Sequence, residues 1–152
     1  MNITLVTVGK LKEKYLKQAI DEYSKRLGRY CKLDIIELPD EKTPDNASEK
    51  EEIQIKEKEG RLILSKIKDN SYVVAMDLQG KEITSEQFSS FIEKCGVTGN
   101  SNIVFIVGGS LGLSDEVRRR ADYKLCFSKM TFPHQLFRVM LLEQVYRAFR
   151  IM

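Results

Sequence analysis

Apolar and polar positions alternate along this chain with two periods, and the switches between them mark its elements. Residues 3–8 (ITLVTV) read as a first strand ending at Gly9, and residues 12–27 follow as a helix with Leu16, Ala19, Ile20, Tyr23 and Leu27 on one face. Residues 33–38 form a second strand stopped by Pro39, and PDEKTPDNA reads as a loop. Ser48 with Glu51 makes a capping box for a charged, mostly wet helix to about residue 67. A third strand spans 72–77 and gives way to Leu78-Gln79-Gly80. Thr84 with Gln87 caps a helix whose stripe is Phe88, Phe91, Ile92 and Cys95. Residues 102–107 are continuously apolar after Asn102, as in a strand buried on both faces. A short helix starts near Ser114, a short strand covers 124–127, and a last helix runs from Pro133 to Met152, with proline at its first position.

Five strands alternating with helices predict one α/β domain over residues 1–152, with a largely parallel sheet and helices on both faces. In such sheets ligands bind beyond the carboxyl ends of strands. Four places qualify: Gly9-Lys10, Leu78 to Lys81, Gly108 to Leu113, and Phe127 to His134.

Composition narrows the class. Charged residues make up 31% and hydrophobic residues 42%, which fits a soluble folded chain rather than a disordered one. No apolar run approaches the length of a membrane span, and no basic segment precedes the first apolar one as in a signal peptide, so the expectation is cytoplasmic. Cys31, Cys95 and Cys126 are widely spaced and accompanied by a single histidine, His134; they read as reduced thiols, with no metal site. The net charge of +3 hides an uneven spread. Residues 1–32 hold eight basic and three acidic residues, residues 33–60 four and ten, and residues 61–152 thirteen and nine. That asymmetry suits a polyanion on one face, or a solvated surface. The basic residues fall into two groups that both follow strand ends: Lys10, Lys12, Lys14 and Lys17, and Arg118-Arg119-Arg120.

The candidate chemistry lies late in the chain. GGSLGLS at 108–114 is neither a Walker A loop nor a GxGxxG fingerprint, so a ligand cradle and a tight turn explain it about equally. FSKMTF at 127–132 is unusually apolar for a loop and offers backbone groups within an apolar wall, which suits a flat uncharged ring or an ordinary buried connection. The last helix is apolar around most of its circumference, and burying one side in the core and the other in a second subunit would account for that. Arg138 lies four residues beyond His134 and is expected on the same face; Glu143 and Arg147 are likewise four apart and can form a helix ion pair.

Taken together, TVGKLKEKY at 7–15, LPDEK at 38–42, KEKEG at 56–60, LQGK at 78–81, FIVGGSLGL at 105–113 and FSKMTFPHQLFRVMLLEQVYRAF at 127–149 resemble the bacterial 23S rRNA pseudouridine-N3 methyltransferases of the SPOUT class, the RlmH family, from one end of the chain to the other. The resemblance implies a C-terminal deep trefoil knot, a homodimer, and S-adenosyl-L-methionine held in the knot. It places Met76, Gly108, Phe127, Ser128, Lys129, Met130, Thr131 and Phe132 at the cofactor. It implies as substrate a pseudouridine in helix 69 of 23S rRNA within the 70S ribosome. Methylation at N3 requires loss of an imide proton, for which His134 is a candidate base, with Arg138 stabilising the anion or binding phosphate; a structural hydrogen bond at the helix start is the other reading of His134.

Two departures from the family pattern carry expectations. The family has a short tail containing Gly and a Tyr-His pair past the last helix, whereas this sequence stops at Met152; weakened catalysis with cofactor binding retained is then expected, and a ribosome-binding module without turnover is the alternative function. The family's polar residue in the glycine loop is Leu111 here, and a weakened substrate contact is expected from that. A flavodoxin-like nucleotide-binding domain suits the strand pattern but not the 127–149 motif.

Overall fold

A computed structural model describes Met1–Met152. Its elements run β1 (Asn2–Val8), α1 (Lys14–Leu27), β2 (Lys32–Leu38), α2 (Glu49–Ser65), β3 (Tyr72–Glu82), α3 (Ser85–Val97), β4 (Asn102–Val107), α4 (Asp115–Arg120), β5 (Tyr123–Cys126) and α5 (His134–Ile151). The five strands form one sheet in the order β2-β1-β4-β3-β5, and every pairing is parallel. The single α/β domain with helices on both faces is therefore as expected. Strand alternation divides the core in two. Ile3, Leu5, Val74, Ile103 and Phe105 point towards α1, α3 and α5. Val6, Val8, Val73, Ala75, Val104 and Ile106 point towards α2 and α4. β4 sits between β1 and β3 with its last five residues buried, which is why it reads as an unbroken apolar run.

The predicted capping boxes both form: Ser48 Oγ accepts from the Glu51 amide and Thr84 Oγ1 from that of Gln87, with the reciprocal bonds present. Pro133 stands one residue before α5, as its N-cap, rather than at the first helical position. The larger departure is β3. Its sequence pattern stops at Asp77, yet the strand continues to Glu82 after a register shift between Met76 and Lys81, both of which pair with Leu125. Asp77 turns aside to accept the Gln79 amide at 3.0 Å. Gly80 then backs onto the β5 main chain so closely that a Cβ there would lie 2.7 Å from the Lys124 carbonyl oxygen.

α5 leaves β5 at the sheet edge and returns to pack against both α1 and α3. Residues 127–133 therefore cross the carboxyl end of the sheet. Arg138, Leu141, Leu142, Val145 and Ala148 form its buried stripe. The rest of the helix is not enclosed: Val139, Met140 and Tyr146 are half-buried and Leu136 is 40% exposed.

On the other face, Gly60 lets α2 touch α4. A Cβ at Gly60 would overlap Ser114 Oγ and approach Val117 Cγ2 to 3.2 Å. Ser114 cannot rotate away freely, because its Oγ caps α4 by accepting the Val117 amide. Gly60→Ala gains about 1 kcal/mol of helix propensity but brings overpacking of about 1–3 kcal/mol and a threatened cap of about 1 kcal/mol. Net destabilisation of about 1–3 kcal/mol is expected in urea unfolding; a stabilised variant would show that α2 and α4 separate easily.

Candidate functional site

All five strands point the same way, so their carboxyl ends share one edge. There, a cleft of about 770 Å³ opens between the end of β3 (Met76 to Gln79), the glycine loop after β4 (Gly108 to Leu113) and the crossing segment with the start of α5. A cleft of this size and mostly apolar lining takes a small organic molecule. Each wall has a local cause. The glycine loop folds on itself, with the Gly112 amide donating to the Gly109 carbonyl at 3.0 Å and Gly112 at φ +88°. A Cβ at Gly108 would meet Leu113 Cδ2 at 2.8 Å, so a side chain there would displace Leu113 from the cleft wall.

The crossing segment is pinned by aromatic rings. Phe127 packs on Phe137 of α5 at 5.1 Å between ring centroids, and Phe132 on the same ring at 6.4 Å. Ser128 Oγ accepts the Met130 amide, and Lys129 Nζ donates to the Leu78 carbonyl at 3.4 Å and pairs with Glu82 at 3.7 Å. The apolar residues of this loop are thus partly covered by α5, while Met130 stays 74% exposed.

Of the residues expected at the cofactor, Met76, Gly108, Phe127, Met130, Thr131 and Phe132 line the cleft. Ser128 and Lys129 do not; they hold the loop's shape, and Ser128 borders the neighbouring groove. Leu111 lines the cleft, and so does His134, which is exposed and has no hydrogen-bond partner. Sequence reasoning missed the pair Asp77–Arg118. Arg118 Nε lies 3.2 Å from Asp77 Oδ2 across the cleft wall, and these two are the only Asp, Glu, Lys or Arg side chains lining it. The signal was an acidic residue ending an otherwise apolar strand, but nothing in the run of three arginines singled out Arg118.

Arg138 is the clearest correction. It is buried where His134 is exposed, and it does not line the cleft. The residue is 2% exposed, and its guanidinium donates to the Val8 carbonyl at 2.9 Å, the Gly9 carbonyl at 2.8 Å and Glu37 Oε2 at 3.0 Å. The carbonyls left over where β1 ends need a donor, and this cation supplies two bonds at once. Burial pushes its pKa down while Glu37 pulls it back up. The physical reason is depth and partners: Arg138 lies one turn further along α5, about 6 Å in, where its side chain meets the free carbonyls at the end of β1.

A second buried charge backs the glycine loop. Glu59 on α2 is 6% exposed, accepts the Glu41 amide at 3.0 Å, and its Oε1 lies 3.2 Å from where a Gly109 Cβ would stand. Burial raises its pKa to about 7, with Asp40 and Glu41 adding to the rise and the Glu41 amide opposing it. No group of three or more His, Cys, Asp or Glu is arranged to hold a metal, and no helix is long and apolar enough to cross a membrane.

Comparison with known proteins follows the same outline. A family model described as "Predicted SPOUT methyltransferase" matches residues 1–152. The chain is 85% identical to ribosomal RNA large subunit methyltransferase H 1 of Clostridium perfringens, covering 100% of this chain and 96% of that protein. It is 76% identical to ribosomal RNA large subunit methyltransferase H of Clostridium beijerinckii over 99% and 95% of the two chains. The tRNA (m1G37) methyltransferase of Aquifex aeolicus shares the fold, with a TM-score of 0.51, 11% identity, and coverage of 97% of this chain and 70% of that one.

Two stability measurements test the buried charges. Arg138→Met leaves two strand-end carbonyls and Glu37 without their cation, and a loss of about 3–5 kcal/mol is expected in urea unfolding; a loss under about 1 kcal/mol would show that water replaces it. Glu59 binds its proton more tightly folded than unfolded. It therefore favours the fold fully below about pH 4.5 and ceases to as the pH rises through about 7. Glu59→Gln is expected to remove about 2–3 kcal/mol of the stability lost between pH 5 and pH 8; an unchanged pH profile would mean that Glu59 is charged in the folded protein throughout.

Proposed function

The chain belongs to the SPOUT methyltransferase family, and from that premise we propose that it is an S-adenosyl-L-methionine-dependent methyltransferase of large-subunit ribosomal RNA. The observation that carries this reading is the 85% identity, over the whole chain, to a relative named for that activity. The finer reading takes the methyl acceptor as N3 of a pseudouridine in helix 69 of 23S rRNA within the 70S ribosome. It includes a homodimer and a C-terminal deep trefoil knot. The return of α5 from the sheet edge to a place between α1 and α3 supports a threaded C-terminal segment. The apolar groove of about 500 Å³ along its outer side, with Val139, Met140 and Phe132, is what a second copy would cover.

The cleft fits the cofactor on two counts. Met76, Phe127, Met130 and Phe132 give apolar walls for a flat base, among main-chain groups of Gly108 and Thr131 that can read its edge. Asp77 and Arg118 offer one charge of each sign for the polar end of an amino acid. Ser128 and Lys129 serve the cofactor by fixing the loop. The cofactor, when bound, supplies an activated methyl group, so the protein's share is alignment and removal of a proton. His134, at the cleft and without a partner, accepts the N3 proton on a ring nitrogen. Arg138 is a positioning residue here, fixing the start of α5 and with it the direction of His134.

Calorimetry with S-adenosyl-L-methionine and methyl transfer to 70S ribosomes test this. Binding is expected with the wild-type protein, and absence of binding would sink the cofactor reading. His134→Ala should keep cofactor affinity within about twofold and lower kcat by about 10²–10⁴-fold, the range for loss of a general base. Full turnover would leave His134 a structural residue.

A further inference from the structure

Two groups of basic residues follow strand ends, and the structure separates them. In the arginine run, Arg118 is paired with Asp77, and Arg120 with Asp122 and the carbonyls of Asp69 and Ser71. Lys10, Lys12, Lys14 and Lys17 are all exposed and none takes part in an ion pair. They are not on a loose loop. Gly9, at φ +94°, turns the chain off β1, and its carbonyl is held by Arg138. The Leu11 amide donates to Glu37 at 3.0 Å while its side chain packs on the core. The Lys12 amide donates to Gln135 Oε1 at 3.1 Å. The main chain is fixed at each step, so Lys10 and Lys12 must project outwards. Gln135 follows His134, so the same contact sets these lysines beside the cleft mouth. Glu37, which accepts the Leu11 amide, is paired with Arg138, and residues 10–17 hold four lysines against Glu13. Tyr15, next to Lys14 in the first turn of α1, is 66% exposed.

We propose that Lys10, Lys12, Lys14, Lys17 and Tyr15 form the surface on which the substrate RNA lands, the lysines taking backbone phosphates and Tyr15 stacking on an unpaired base. This rests on the reading of the chain as an RNA methyltransferase and names the face that does the docking. Fixed cations with an exposed aromatic ring suit RNA, whose phosphates and base faces call for both. They do not suit a lipid surface, which needs an apolar helix face; the apolar face of α1 (Leu16, Ile20 and Leu27) is already buried in the core.

The test compares Lys12→Ala/Lys14→Ala/Lys17→Ala with a control carrying Lys50→Ala, Lys66→Ala and Lys68→Ala, exposed and unpaired lysines elsewhere on the molecule. Affinity for 70S ribosomes is measured against salt, with phosphatidylglycerol vesicles as the competing surface. The docking variant should bind about 10–100-fold more weakly at low salt, with a salt slope shallower by about 2–3, close to one per lost phosphate contact. The control should stay within about twofold, and Lys→Arg at the three docking positions should restore binding. Tyr15→Ala should cost about 5–100-fold without changing the slope, as expected for a lost stack. Equal losses in variant and control, an unchanged slope, or a wild type that binds vesicles but not ribosomes would overturn the proposal. Cofactor binding separates the two failures. If S-adenosyl-L-methionine binds and methyl is transferred while the docking variant binds ribosomes normally, only this surface is wrong. If the wild type binds neither cofactor nor ribosome, both readings fall.

Discussion

Two carbonyls at the end of β1 need hydrogen-bond donors, and the buried guanidinium of Arg138 provides them. Most of the site depends on that contact. It fastens the start of α5 to the first strand and thereby fixes where residues 127–133 cross the sheet. The aromatic cluster of Phe127, Phe132 and Phe137 then holds the crossing segment at a set height above the strand ends. Glu37 balances the cation and also orders the loop after β1, so one ion pair shapes both sides of the cleft mouth. A buried charge costs several kcal/mol to desolvate unless it is well paired, and here it is repaid as geometry.

The opposite wall has its own electrostatic support. Glu59 lies beneath Gly109 with Asp40 and Glu41 around it, and carries a proton more readily than an ordinary carboxyl. Gly60 has no room for a side chain, and a Cβ at Gly109 would press on Glu59 and Val8. The glycine loop is thus set by what lies behind it, on α2, as much as by its own flexibility.

The chain pattern revealed the fold well because parallel strands buried on both faces leave continuous apolar runs, and because the capping residues of α2 and α3 act locally. It failed where a residue's role depends on distant partners. The end of β3 was misplaced because Gly80 lies against the β5 main chain and lets Lys81 and Glu82 pair with it, which no side-chain pattern records. Arg138 looked like a companion of His134 because helical spacing suggests a shared face, but its acceptors lie far off in sequence. Most of the cleft was legible as loops after strands. The Asp77–Arg118 pair was not, since ion pairing over 41 positions has no sequence signature.

The distances along the chain also set an order in time. β1 pairs with β2 after a short crossover but with β4 only once Asn102 has joined it, residue for residue, with Asn2. The Gly9 carbonyl waits for a donor 129 positions later, which during synthesis means about 6–26 s at ordinary elongation rates. Until then the nascent chain can hold an open, hydrated strand edge but no cleft. The cleft therefore forms last, with the segment that closes the fold, and chains not yet carrying residues 127–138 lack one of its walls.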